Sequence, residues 1–402
     1  MREGILHLMV LSVFVESLGV GPASVGRILA VLGVYAALLV ILARPYATRL
    51  PLPTIGIPVM GLAVWIFLSA LWADSVHAWA PAMGQFALAV CYFIGYVMLL
   101  ESRQQMRRLL VSYVAGAGAV ALVGLSQTSA TVRAVGYQGD ANMYALYELA
   151  GLPIAANLAA GTRGIYRAGW FFVMALLVAA VLASQSRGGL LAVMVVMLYV
   201  LWNGDLGGWF ALRPRLTTMV GATVLFALAA IAFLTIPRFN VANASESRGT
   251  GRLDIWHVAW HGWEQHPLLG LGAGNFVHDS GDLLSTTPGV QLDRYSVLFD
   301  GIKVHNAYLE PWVELGPIGL GLYVAVLVAT GIVLYKMRHA VAPGVLKACF
   351  PMLVGFATAT IFLSAINNKL LWMLAGFAAV FPYLPERKPS DSTQATAPLE
   401  VA

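Results

Sequence analysis

The chain has 402 residues, 59% of them hydrophobic and 11% charged, with a mean hydropathy of +0.77. Soluble domains carry about 25% charged residues, so this composition excludes an ordinary soluble domain and indicates an integral membrane protein. The formal charge of +5 does not point to nucleic acid, because the basic residues stand between apolar runs. Cys91 and Cys349 fall in separate apolar segments, as packing residues rather than a disulfide or metal pair.

In chain order, apolar runs such as 28–43, 169–183 and 318–335 favour spanning helices over the short alternating strands of a barrel. Twelve spans are predicted, at 4–20, 26–43, 52–72, 78–100, 108–127, 142–160, 168–184, 189–203, 217–236, 306–335, 347–365 and 369–385. The expected fold is therefore an all-α polytopic membrane protein. Its divisions are 1–236 with spans one to nine, a 237–305 extracytoplasmic loop, 306–385 with the last three spans, and a disordered cytoplasmic tail at 386–402. Arg2 before the first apolar run resembles a signal peptide, but Glu3 and Glu16 favour a first span. With the N-terminus in the cytoplasm, 15 of the 24 Lys and Arg fall on inner segments. Arg27, Arg133, Arg187 and Lys369 lie on short outer segments, which is the asymmetry of the positive-inside rule.

The sixth span opens at Asp140 and carries Asn142, Tyr144, Tyr147, Glu148 and Asn157. A polar stripe of this kind faces a cavity or a neighbouring helix rather than lipid. Arg187 follows in Ser184-Gln185-Ser186-Arg187-Gly188-Gly189. A guanidinium at the membrane face beside two glycines that expose N–H groups is a plausible anion site. For an arbitrary arginine at this place, snorkelling to the lipid headgroups is the stronger reading.

The long outer loop holds most of the polar chemistry, including five of the eight histidines. Arg248 and Arg252 precede a helix on which Leu253, Trp256, Trp260 and Trp263 fall at spacings of three and four. That stripe suits the membrane interface. His257 and His261 have a zinc-compatible spacing, but Val258 stands where the HExxH motif needs glutamate, and no metal is expected. Gly270-Leu271-Gly272-Ala273-Gly274 lacks a βαβ context and reads as a turn after Pro267. At the loop's end, Asn306 can cap the helix that re-enters the membrane. His305 is thereby placed at the rim, where a near-neutral imidazole can take a proton from a hydroxyl. A structural histidine beside a cap is the competing reading. Glu314 lies about two turns inside, and Lys369 opens the last span. Either Lys369 or the Asp140 helix can line the site or serve packing.

Taken together, Ser186-Arg187-Gly188, Gly251-Arg252 with its Trp-rich helix, His266-Pro267-Leu268-Leu269-Gly270-Leu271-Gly272, His305-Asn306-Ala307-Tyr308-Leu309 and Glu314-Leu315-Gly316 resemble the O-antigen ligase and O-antigen polymerase superfamily of bacterial membrane glycosyltransferases. The resemblance implies a GT-C-like helical fold without cofactors, working as a monomer in the inner membrane. It also implies transfer of a glycan from an undecaprenyl-diphosphate carrier to a glycan or glycolipid acceptor. Arg187 and Arg252, with Arg248 as rival to Arg252, then bind the diphosphate, and His305 activates the acceptor. Asn306, Tyr308, Glu314, Asp140 and Lys369 are possible supporting residues. Ligase ranks ahead of polymerase and protein O-glycosyltransferase, which share these residues. A lipid-linked-glycan transporter would place charges mid-span along a pathway, and a carrier-binding subunit would not need His305.

Overall fold

The structure is a computed structural model and describes residues 2–16, 25–43, 54–129, 132–207, 213–235, 251–290, 301–340 and 344–385. Among these residues it is helical, with no strand. The expectations for Arg248, for the flanks of the loop at 237–250 and 291–300, and for the tail at 386–402 lie outside the described residues.

The helices are α1 (Arg2–Leu11), α2 (Val25–Leu42), α3 (Gly56–Leu68), α4 (Val76–Leu99), α5 (Arg103–Gln127), α6 (Ala141–Gly161) and α7 (Gly164–Ala183). They continue as α8 (Arg187–Trp202), α9 (Pro214–Thr235), α10 (Arg252–Gln265), α11 (Asn275–Thr286), α12 (Leu309–Ala340), α13 (Cys349–Ala359) and α14 (Lys369–Val380). Every predicted span contains a helix. By length and composition, Val76–Leu99, Arg103–Gln127, Gly164–Ala183, Leu309–Ala340 and Val345–Phe362 are able to cross a membrane. Arg27–Val40, Gly56–Leu71, Arg187–Trp202, Arg215–Ala227 and Lys369–Tyr383 are shorter apolar helices. Among the described residues, the first predicted span is helical over Arg2–Leu11, with turns through Glu16.

Helix starts follow the local chemistry of the chain. Ser75, Ser102, Asp140, Ser186 and Asn368 each accept a backbone N–H from the first turn of α4, α5, α6, α8 and α14. These side chains satisfy donors that the helix itself leaves open. Two helices form the centre. α14 is buried along its whole length, and α6 buries its polar stripe with its apolar residues, including Tyr144, Tyr147 and a fully enclosed Glu148. The expectation that this stripe avoids lipid holds. Exposed apolar residues such as Ile28, Leu42, Ile57, Phe172, Met219 and Phe226 lie on peripheral helices, where a hydrocarbon solvent accepts them.

The loop has its own small core. Ile255, Val258 and Ala259 of α10 pack with Phe276, Leu283 and Leu284 of α11, and with Val304 and Val313. The opposite edge of α10 keeps Leu253 and Trp260 exposed, while the Trp260 and Trp263 rings pack against Trp312. This core docks onto the helices through a break that corrects one expectation. The segment 306–335 is not one continuous span, because α12 is interrupted at Gly316 (φ 67°, ψ −170°), followed by Pro317. Gly316 lies against the Leu268 carbonyl. Trp65 Nε1 and Trp72 Nε1 donate to the carbonyls of Leu315 (2.9 Å) and Leu269 (3.1 Å).

The glycine run is the expected turn. A Cβ on Gly270 (φ 72°) would lie 2.5 Å from the Glu314 carbonyl carbon, and one on Gly274 (φ 76°) 2.6 Å from the Ala78 carbonyl oxygen. Gly272 N–H donates to the Glu314 carbonyl (2.8 Å), and Gly274 N–H to Glu314 Oε2 (2.8 Å). Glu314 therefore caps α11 from across the fold. Glu314→Ala should lower the thermal midpoint in detergent by the equivalent of about 1–2 kcal/mol, the worth of a lost cap. Glu314→Gln, which keeps an acceptor oxygen, should recover most of that loss.

Candidate functional site

Arg187 is the first residue of α8 and Arg252 the first of α10. The fold brings them together. Both line one groove of about 390 Å³, with Leu190, Leu191, Met194, Leu253, Trp256 and Phe362 as its other walls. Two cations thus sit at an otherwise apolar surface, where weak screening strengthens attraction to an anion.

The turn before Arg187 is fixed by groups that sequence reasoning did not assign to it. Arg133 Nε donates to the Ser184 carbonyl (2.8 Å), and Ser186 Oγ donates to Asn142 Oδ1 (2.9 Å). Gln185 sits in the left-handed region at φ 51°, a conformation that costs a non-glycine residue about 1–3 kcal/mol. The two glycines have a different role from the one expected. Gly189 N–H is taken up by Ser186 Oγ (3.1 Å). A Cβ on Gly189 would lie 2.7 Å from Ala145 Cβ, and one on Gly188 2.9 Å from the Phe362 ring. They permit close packing of α8 rather than presenting a bare pair of donors.

His305 lies in a neighbouring cavity of about 570 Å³, which Asp140, Lys369, Arg27, Lys303, Glu16, Tyr147, Ser364 and Asn368 also line. The cavity joins the end of the loop to the starts of α6 and α14. Asp140 Oδ1 accepts from the N–H groups of Asn142 and Met143 (2.8 Å each). Lys369 Nζ stands 3.5 Å from Glu16 Oε1. Asn368 links the two central helices by donating to the Tyr147 hydroxyl (3.1 Å).

The histidine's backbone is held at φ 53°. Its N–H donates to Ser364 Oγ (3.0 Å), and Ala307 N–H donates to the Thr360 carbonyl (2.9 Å). Asn306 Oδ1 accepts from Tyr308 and Leu309, the cap expected of it. Tyr308 spends its hydroxyl on the Ala357 carbonyl (2.9 Å). Asn306 and Tyr308 thus hold the rim in place, whereas Asp140 and Lys369 face the cavity with His305. Glu314 lies in a third space of about 580 Å³ with Glu310, His77, His278 and Lys303. Lys303, Gln85, Ser364 and Asn367 border both this space and the histidine cavity. Among the described residues, no three His, Cys, Asp or Glu side chains form a metal-binding group.

Burial, and then the positive charge of Arg252, push the His305 imidazole below the ordinary histidine range, with Asp140 opposing them. A lowered value keeps the ring neutral, and able to accept a proton, to a lower pH than usual. Modification of His305 by an imidazole-acylating reagent should therefore persist to a pH below the ordinary midpoint of about 6.5. Arg252→Ala should raise that midpoint and Asp140→Asn should lower it. A midpoint at or above the ordinary value would remove the physical basis for a neutral base here.

Phe362 is the residue of this region that carries no sequence signal, because an apolar side chain in an apolar span looks like any other. Its ring stacks with Trp256 at 6.2 Å and lies under the Arg252 guanidinium at 5.9 Å. No curated protein gives a significant sequence match to the chain. Residues 172–324, which include Arg187, Arg252 and His305, match the family model described as O-Antigen ligase, and this match supports the O-antigen ligase superfamily for the chain.

Proposed function

We propose that the protein is an O-antigen ligase-like inverting glycosyltransferase that moves a glycan from undecaprenyl diphosphate to an acceptor hydroxyl. The observation that carries this reading is the pairing of Arg187 and Arg252 in one apolar-walled groove beside the His305 cavity. The family match supports a ligase- or polymerase-type membrane enzyme, and the helices support a membrane protein. The finer placement is part of the proposal: inner membrane, both termini cytoplasmic, and the site on the periplasmic face. The arginine asymmetry of the sequence supports that orientation.

The chemistry follows from what each space can hold. A diphosphate suits two guanidiniums that form charge-assisted hydrogen bonds, and a prenyl chain suits the walls of Leu190, Leu191, Met194 and Leu253. His305 takes the proton of the acceptor hydroxyl, and the freed oxygen attacks the anomeric carbon from the face opposite the carrier. The bond from that carbon to the diphosphate oxygen breaks. Undecaprenyl diphosphate leaves with the electron pair, and its charge is stabilised by Arg187 and Arg252. A single displacement inverts the anomeric centre. The leaving group needs neither a strong acid nor a metal once its charge is balanced.

Purified protein in liposomes, supplied with an undecaprenyl-diphosphate-linked glycan and a chelator, should release undecaprenyl diphosphate when the right acceptor is present. His305→Ala should abolish this turnover, and Arg187→Ala or Arg252→Ala should each reduce it about 10²–10³-fold, the usual worth of one stabilising group. A core glycolipid as productive acceptor identifies a ligase, a second carrier-linked glycan a polymerase, and a protein hydroxyl a protein glycosyltransferase. Full turnover by Arg252→Ala would remove that residue from the mechanism.

A further inference from the structure

We propose that Phe362 is a positioning residue that sets the diphosphate groove in register with His305. The inference rests on the proposed function, because it assigns the spacing between the two halves of that reaction. Three contacts meet on one ring. The Arg252 guanidinium lies over it at 5.9 Å, Trp256 stacks on it at 6.2 Å, and Gly188, next to Arg187, approaches so closely that a Cβ there would lie 2.9 Å from it. The ring is thus wedged between the start of α8 and the start of α10, with one of the two arginines on each.

The backbone that carries the ring also holds the histidine. Phe362 closes the single helical turn Thr360–Phe362. The Thr360 carbonyl accepts from Ala307, and Ser364 Oγ accepts from His305. Within five residues the chain touches Arg252, the neighbour of Arg187, and the backbone of the proposed base. Trp256, a wall of the groove, adds a second link by donating from Nε1 to the carbonyl of Val304, the residue before His305 (3.1 Å). The ring also has few ways to move, since its side chain turns about two bonds and Trp256, Arg252 and Gly188 all lie against it. A phosphate bound by the arginines is therefore held at a distance from His305 that the ring decides. Phe362 lies outside the segment matched by the family model, which ends at residue 324.

The test compares full-length wild type with Phe362→Ala, Phe362→Tyr and Gly188→Ala. Equilibrium binding of undecaprenyl diphosphate, steady-state transfer and thermal unfolding are measured on the same preparations. Phe362→Ala should weaken undecaprenyl diphosphate binding about tenfold and lower kcat about 100-fold, as displacement by roughly 1 Å can do, while the acceptor KM changes less than twofold. Phe362→Tyr, which keeps the ring, should restore both. Gly188→Ala pushes the ring from the other side and should reproduce part of the loss with Phe362 present. A Phe362→Ala protein with a lower unfolding midpoint but wild-type affinity and kcat would make the ring a packing residue and overturn the proposal. Wild-type binding that is indifferent to Arg187→Ala would overturn the diphosphate reading itself, and this inference with it.

Discussion

The short stretch from Thr360 to Ser364 is where the membrane helices take hold of the loop. His305 occupies a left-handed backbone conformation that a histidine would leave if its neighbours allowed it. Ser364 Oγ and the Thr360 carbonyl hold it from one side, and the Asn306 cap from the other. Strain of this kind persists only where the surroundings over-determine it. Here they also aim the imidazole at a cavity that Asp140 and Lys369 share. The docking of the loop core on Gly316 and Gly270 serves the same end, because it holds the first turns of α12, which follow directly on the rim.

Two adjoining spaces of opposite character follow from this arrangement. The arginine groove is walled by Leu, Met, Trp and Phe side chains, and the histidine cavity by charged groups and amides. An amphiphilic substrate with a long apolar tail, a dianionic joint and a hydrophilic head would meet each part in turn. A medium of low polarity increases the effect of Arg187 and Arg252 on a diphosphate. Burial first, and the charge of the same Arg252 second, push the His305 imidazole down and favour its neutral form. In the proposed reaction one guanidinium would act on leaving group and base together, which a water-filled cleft would not permit so readily.

Much of this was legible in the chain and some was not, for separable reasons. Apolar runs of span length leave the backbone one option in hydrocarbon, so the helices could be located from hydropathy. Asn306 caps as expected, and Asp140, read from the sequence only as the residue before the sixth span's polar stripe, proves to cap α6. Hydropathy also misled. Leu315-Gly316-Pro317 lies in a run apolar enough to read as one span, although a Gly-Pro pair is a breaker, and the chain does break there. The purpose of Gly188 and Gly189 depends on Phe362 and Ala145, which lie far away in sequence, so spacing could not reveal it. Glu314 could be placed about two turns inside a span, but its partner, the Gly274 N–H at the start of α11, is one that only the tertiary fold supplies.

One local rule is broken repeatedly in this region. Helix N-termini carry a partial positive charge, and a cation placed there is disfavoured by about 0.3–1 kcal/mol. Yet Arg187, Arg252 and Lys369 are the first residues of α8, α10 and α14, and the two arginines share one groove. Sequences that contradict local preference tend to do so at functional sites. Glu16 offsets Lys369 from across the histidine cavity. In the groove, two guanidiniums and two helix starts lie together. A diphosphate reverses the sign of that conflict. The dipoles and side chains that oppose one another in the free protein would then act on the same two phosphates, and most strongly as charge builds on the departing oxygen. The local cost of these arginines is thus what a site for an anionic leaving group would require.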